Sequence, residues 1–345
     1  MVATRIRAIA AAGTLAAALA LGASGSDSEE LTRPVPVEAT VRAIPFETGF
    51  PGRTRFGKLE WLGTLELESE SPYFGGYSGI AVSADGKEFM AVSDAGSWLR
   101  GRIVTNAAGL LTGVAGLTAG PLLGPDGKPL DRKADADAEG VASAVPGRLD
   151  GETFIAFERR HRIVVSGNGP EGLGPVTRQV VLPPEALKAS GNAGLEAITV
   201  LRDGPDRGAL VIFAEKLLDP AGNHSGWLLG PDAPRRLSLK RLDGFDVTDA
   251  AALPGGGVVV LERCFPCPIL TQMRLRRLSA QDLASGKPME GDTLLLAGQV
   301  YEIDNMEGIA VHIDARGRSI LTVISDDNFN RRFQRTLLMR FLVAD

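Results

Sequence analysis

One pattern recurs five times in this 345-residue chain: a carboxylate or a serine, then a small residue, then an apolar run. It reads "YSGIAVS" at Ser78, "AEGVASA" at Glu139, "LEAITVL" at Glu196, "TDAAALP" at Asp249 and "MEGIAVH" at Glu307. The intervals are 61, 57, 53 and 58 residues. A second apolar run follows each time and ends in an acid, at Asp94, Glu158, Glu215, Glu262 and Asp326 with Asp327, which lie 16, 19, 19, 13 and 19 residues on. Repeats of this length are supersecondary units that bury their apolar faces only against their neighbours. Val, Ile, Leu and Phe alternate at period two between Gly, Pro, Asp and Asn, so the units are made of strands.

Room remains between repeats for two more strands, as in "RIVVS" and "TRQVVLP" after Glu158. Four strands per unit, repeated radially, predict an all-β chain folded as a β-propeller. Five repeats give five blades, or six if residues 100–130 hold another. The last unit is one strand short and the first has a spare, "GKLEWLGTLELES" at 57–69. An N-terminal strand is therefore predicted to complete the last blade and close the ring, which removes exposed sheet edges. Helices are minor: short ones are expected at 183–190 and at 279–287, the second with Ser279 as its N-cap.

Residues 1–23 carry Arg5 and Arg7, an Ala/Leu-rich run and small residues, the order of a secretory signal peptide cut near Ala23 or Gly25. The run is shorter than the roughly 20 residues of a membrane span. Residues 24–55 read as a leader and 56–345 as the domain. Without residues 1–23 the formal charge moves from −5 to −7. An acidic chain without basic runs argues against nucleic acid and anionic membranes as partners. The expected location is periplasmic or secreted, the expected state a monomer. Cys264 and Cys267 in "CFPCP" read as a loop-closing disulfide or as two free thiols.

In a propeller, equivalent positions of the innermost strands converge on the axis. Ser78, Glu139, Glu196, Asp249 and Glu307 are thus expected to form a ring at one mouth. Two like charges about 4 Å apart repel by roughly 4 kcal/mol at an effective dielectric near 20, so the ring needs a cation or raised pKa values. Oxygen-only ligands select a hard cation, Ca²⁺, with a lanthanide as the alternative. The competing structural reading has these carboxylates accept inter-blade backbone N–H groups. The second set of acids, with Arg100, Arg159, Arg160, Lys216, Arg263, Arg331 and Arg332 close behind, is expected at the opposite mouth. "GNGPEG" at 167–172 matches a phosphate-loop spacing, but Pro170 and the strand-like run after it make it a turn.

The motifs "YSGIAV…VSDAG", "DAEGVA…FIAFERRHRI", "GLEAITV", "VVVLER…MRLRRLS" and "NMEGIAV…ISDDNFN…QRTLLMRF" together resemble the exported bacterial proteins of the esterase-like activity of phytase family, across Phe56 to Val343. "ERCFPCP" departs from it, with Cys264 where a second basic residue is expected. The order Ser, Glu, Glu, Asp, Glu is also similar to calcium-activated nucleotidases, five-bladed propellers with a central Ca²⁺. There the fourth position is a short hydroxyl residue, here Asp249 or its neighbour Thr248. The resemblance implies a metal-dependent phosphoesterase or esterase-type hydrolase acting on an anionic or phosphorylated small molecule. Ca²⁺ would polarise a phosphoryl oxygen and a water, Asp94 or Asp326 would act as base, and Arg332 or Lys216 would clamp phosphate. The alternatives are a propeller that binds a metal ion or small ligand without turnover, and a scaffold for protein partners.

Overall fold

The computed structural model describes residues 33–189, 194–265 and 271–344. The signal-peptide reading and Cys267 lie outside these residues, whereas Cys264 is described and disulfide-bonded. Five antiparallel sheets form a five-bladed β-propeller. The innermost strands are Tyr77–Val82, Ala138–Ser143, Leu195–Val200, Asp246–Ala252 and Asn305–Ile313. Each pairs on one side only, with the next strand of its own blade. Residues 100–130 supply the two outer strands of the first blade, Ser97–Thr105 and Leu111–Pro121, so no sixth blade forms there.

The predicted closing strand is Leu59–Glu68, which pairs with Thr336–Val343 as the fourth strand of the fifth blade. Part of the segment read as a leader also joins the sheets. Val35–Pro36 pairs with the outer strand of the first blade, and Thr40–Ile44 with Leu59–Glu68 in the fifth. The chain therefore straps the seam between first and last blades. Phe46 and Phe56 anchor the strap, their rings 4.8 Å apart and packed on Tyr301 and Phe341. Burial of one such ring stabilises by about 1.5–3 kcal/mol.

Side chains that alternate along each strand face the two flanking blades, so the core divides among the blade interfaces. Phe213, Val247 and Val260 pack together between the third and fourth blades, and Val92, Val141 and Phe157 between the first and second. The expected helix near 279 is Ala280–Ala284, with Ser279 and Asp282 in a reciprocal capping box. The one near 183 is a single 3₁₀ turn, Ala186–Lys188. "GNGPEG" is the turn of a hairpin between Arg162–Gly169 and Gly172–Gln179.

Candidate metal centre

Every innermost strand carries a β-bulge near its start. The pairing skips one residue between Tyr77 and Gly79, Ala138 and Gly140, Leu195 and Ala197, Val247 and Asp249, and Met306 and Gly308. A bulge leaves the extra residue out of the ladder and re-aims its side chain. The five bulged residues are Ser78, Glu139, Glu196, Thr248 and Glu307. Four are members of the expected ring; in the fourth blade the position belongs to Thr248.

Asp249 falls one step further on, in register with Gly79, Gly140, Ala197 and Gly308. At that level neighbouring inner strands nearly touch. A Cβ on Gly140 would lie 2.3 Å from the Glu196 carbonyl oxygen, and one on Gly308 3.1 Å from Gly79. The buried Asp249 carboxylate accepts hydrogen bonds from the Ile309 and Ala250 N–H groups at 2.8 Å, and from the Ile198 N–H. Burial, opposed by these N–H groups, holds its pKa well above the usual range. Asp249 thus ties the third, fourth and fifth blades together.

The second set of acids does not lie at the opposite mouth. In an antiparallel pair the end of the second strand faces the start of the first. Asp326 pairs with Asn305, and the N–H groups of Asp94, Glu158 and Glu215 donate to the carbonyls of Gly76, Asp137 and Gly194. Each partner stands two residues before the bulged position, so both sets share one mouth. The fourth blade again differs: Arg263 pairs with Asp246 and takes the position of the acids. Glu262, one residue earlier, turns into the blade, where its carboxylate accepts from Arg274 Nε at 2.8 Å and Arg276 Nε at 2.7 Å.

Carboxylate oxygens of Asp137, Glu139 and Glu158 lie within 4.8 Å of one another, as do those of Glu158, Glu196 and Glu215. Glu158 belongs to both groups and accepts from the Gly194 N–H at 3.1 Å, which joins the second blade to the third. At such spacing each like-charge pair costs roughly 3–4 kcal/mol at a dielectric near 20. Burial first, then the neighbouring carboxylates, raise the pKa values of Glu139 and Glu196. Burial also pushes Glu158 up to about 7 against the Gly194 N–H, and Glu307 to about 7 against Arg263. Burial and Glu307 push Asp326 up to about 8.

Arg263 reaches into this mouth, 2.8 Å from Glu307 Oε1 and 3.5 Å from Glu215 Oε1. Lys216 pairs with Glu215, and Lys133 bridges Asp94 and Asp137 at 2.6 Å each. Arg159 pairs with Asp137. Asp94 keeps its other oxygen, Oδ1, buried and unpartnered, and burial raises its pKa despite Lys133. Asp326 accepts the Asn328 N–H at 2.6 Å, and Asp327 accepts those of Gly76 and Phe329. Arg332 stands apart from this set, exposed, with its guanidinium 5.3 Å from the centroid of the Phe333 ring.

Arg263, expected at the opposite mouth, belongs to this one, and sequence reasoning missed Asp137 and Lys133, which come from the connection into the second blade. Carboxylates and two hydroxyls, with neither sulfur nor imidazole among them, fit a hard cation. The carboxylates gathered here outnumber the cations paired with them, Lys133, Arg159, Lys216 and Arg263, and burial of the acids adds to the cost of that excess.

A family model described as phytase-like, esterase-like activity of phytase, matches residues 72–329. No curated protein matches the chain. Among solved structures it is similar to the α-L-arabinofuranosidase PaAbf62A from Podospora anserina in complex with cellotriose, at 12% identity and a TM-score of 0.48, over 83% of this chain and 97% of that one. It is also similar to the dihydro-heme d1 dehydrogenase NirN in complex with DHE, at 14% identity and a TM-score of 0.33, over 87% of this chain and 55% of that one. With the five blades and their motifs in order, the match across residues 72–329 assigns the chain: it belongs to the phytase-like family, esterase-like activity of phytase.

Proposed function

We propose that this is an exported propeller that binds Ca²⁺ at its acidic mouth and hydrolyses an anionic, phosphoric or carboxylic ester there. The observation that carries the reading is the convergence of bulged Glu139, Glu196 and Glu307 with Glu158 and Glu215 on one buried mouth. Glu139, Glu196 and Glu307 would be the principal ligands, with the hydroxyls of Ser78 and Thr248 at the same level; Asp249 would support them from beneath. When bound, Ca²⁺ would supply Lewis acidity toward an ester oxygen and a water. Asp94, whose buried Oδ1 has no partner, would be the residue suited to accept a proton from an attacking water. Lys216 and Lys133, each about half exposed, are the cations at the rim able to turn from their carboxylates toward an anion. Asp326, hydrogen-bonded to Asn305, would hold the neighbouring Glu307 in place through that shared amide. Arg332 would meet only the distal part of a large substrate.

Binding without turnover is the second reading, and one observation favours it: Lys133, Arg159, Lys216 and Arg263 are all paired with carboxylates. The deciding experiment is calorimetric titration of chelator-treated protein with Ca²⁺, followed by a panel of a phosphomonoester, phytate and a carboxylester with and without Ca²⁺. Saturable binding with Ca²⁺-dependent cleavage supports the first reading. Saturable binding without cleavage of any ester gives the second, and no binding removes both.

A further inference from the structure

The opposite end of the axis is a blind well. Its cavity, about 50 Å³, is several times the roughly 10–15 Å³ that admits one water. The walls are the later residues of the inner strands, from the level of Ile80 and Ile309 outward to that of Val82 and Val311. None of Gly79, Gly140, Ala197, Asp249 and Gly308 lines it, so the layer in which Asp249 sits separates the well from the acidic mouth. The unpaired edges of the five inner strands face the axis and add peptide groups to the wall. The well opens into a wider vestibule of about 460 Å³, which shares Pro146 and Arg202 with it.

Two polar atoms on this wall have no partner. Ser143, 6% exposed, keeps its Oγ unbonded among Val82, Val200, Ala252 and Val311, the equivalent residues of the other blades. Arg202 Nε is also buried and unbonded, while its Nη2 donates to the Val311 carbonyl at 3.2 Å. Buried donors are nearly always paired, so two orphans in one cavity ask for an acceptor. Among the described residues no carboxylate lines the cavity itself, and the vestibule adds Arg207 against Asp203. A charged guanidinium with a free Nε–H and a free hydroxyl lining one cavity suit a small oxyanion, and a volume of about 50 Å³ suits one of few atoms.

We propose that the well binds a small carboxylate, of the size of acetate or propionate, held by Arg202 Nε and Ser143 Oγ. The test is thermal unfolding of the full chain, with chelator present, titrated with sodium acetate and sodium propionate against sodium chloride and sodium phosphate at equal ionic strength. Both carboxylates should raise the melting temperature saturably while chloride and phosphate do not. Arg202→Met should abolish the shift. Ser143→Val should weaken the carboxylate at least about fivefold while leaving the ligand-free melting temperature no lower, since it removes an unsatisfied group. Glu139→Gln with Glu307→Gln, at the other mouth, should leave the shift intact, which keeps this result independent of the calcium reading. An unsaturable shift, an equal one from chloride or phosphate, or one that survives both Arg202→Met and Ser143→Val overturns the proposal.

Discussion

The two ends of the propeller axis are built from the same five strands and have opposite chemistry. At the starts of the strands a bulge in every blade turns a side chain toward the mouth, and five blades bring in more acids than the local cations neutralise. At their ends the same strands run regularly, so Val82, Val200, Ala252 and Val311 stand where the other mouth has carboxylates and hydroxyls. Charge at an axis is thus set by backbone irregularity as much as by residue type. A bulged position can host a carboxylate because its side chain is not required to pack between blades.

The contrast can be broken most strongly through Arg263. Arg263→Met leaves Glu307 and Glu215 without their shared cation, and loss of one partner of a buried pair costs about 3–5 kcal/mol. The calcium-free variant should melt well below the parent, and saturating Ca²⁺ should restore most of the difference; differential scanning calorimetry reads both. Next in size, Glu139→Gln with Glu307→Gln should remove the calcium-induced stabilisation, which for the parent at a hundredfold excess over Kd is about 2.7 kcal/mol. Asp249→Ala tests the layer between the mouths. It leaves the Ile309 N–H unpaired, for a loss of about 1–3 kcal/mol by urea denaturation, with or without Ca²⁺.

The last expected effect, one of direction rather than of size, is on pH dependence. Glu158 and Glu307 at about 7 and Asp326 at about 8 hold protons in the folded protein that the unfolded chain releases near pH 4. Stability of the calcium-free protein is therefore full below about pH 4 with respect to these groups and falls as pH rises through 7 to 8. Melting temperatures without Ca²⁺ should be higher at pH 5 than at pH 8. Calcium affinity should run the other way, tighter at pH 8, because the ligands must lose those protons. A calcium-free melting temperature that rises from pH 5 to pH 8 would contradict the convergence of these acids.

Repeat spacing made the blade number, the strand at 57–69 and four of the five bulged residues legible in the sequence, because strand alternation and radial repetition leave few other arrangements. The fourth blade was misread by one residue twice, at Asp249 for Thr248 and at Glu262 for Arg263. Both errors came from matching acids rather than backbone positions. The corrective signal was present in the residue before each bulge: Tyr77, Ala138, Leu195, Val247 and Met306 are all apolar, which selects Thr248 over Asp249. Nothing local in "RPVPVEATVRAIPFE" showed that it would pair with strands at both sides of the seam, since those partners are distant in the chain.

That seam has a kinetic meaning. The fifth sheet is complete only when Leu59–Glu68 meets Thr336–Val343, the strand pairing most distant in sequence among the described residues. Loop-closure entropy makes such a step late and slow. Until it happens, the edges of the first and last blades are open to pairing with other chains, and the strap from Val35 to Phe46 lies where it would cover that opening once the ring has closed.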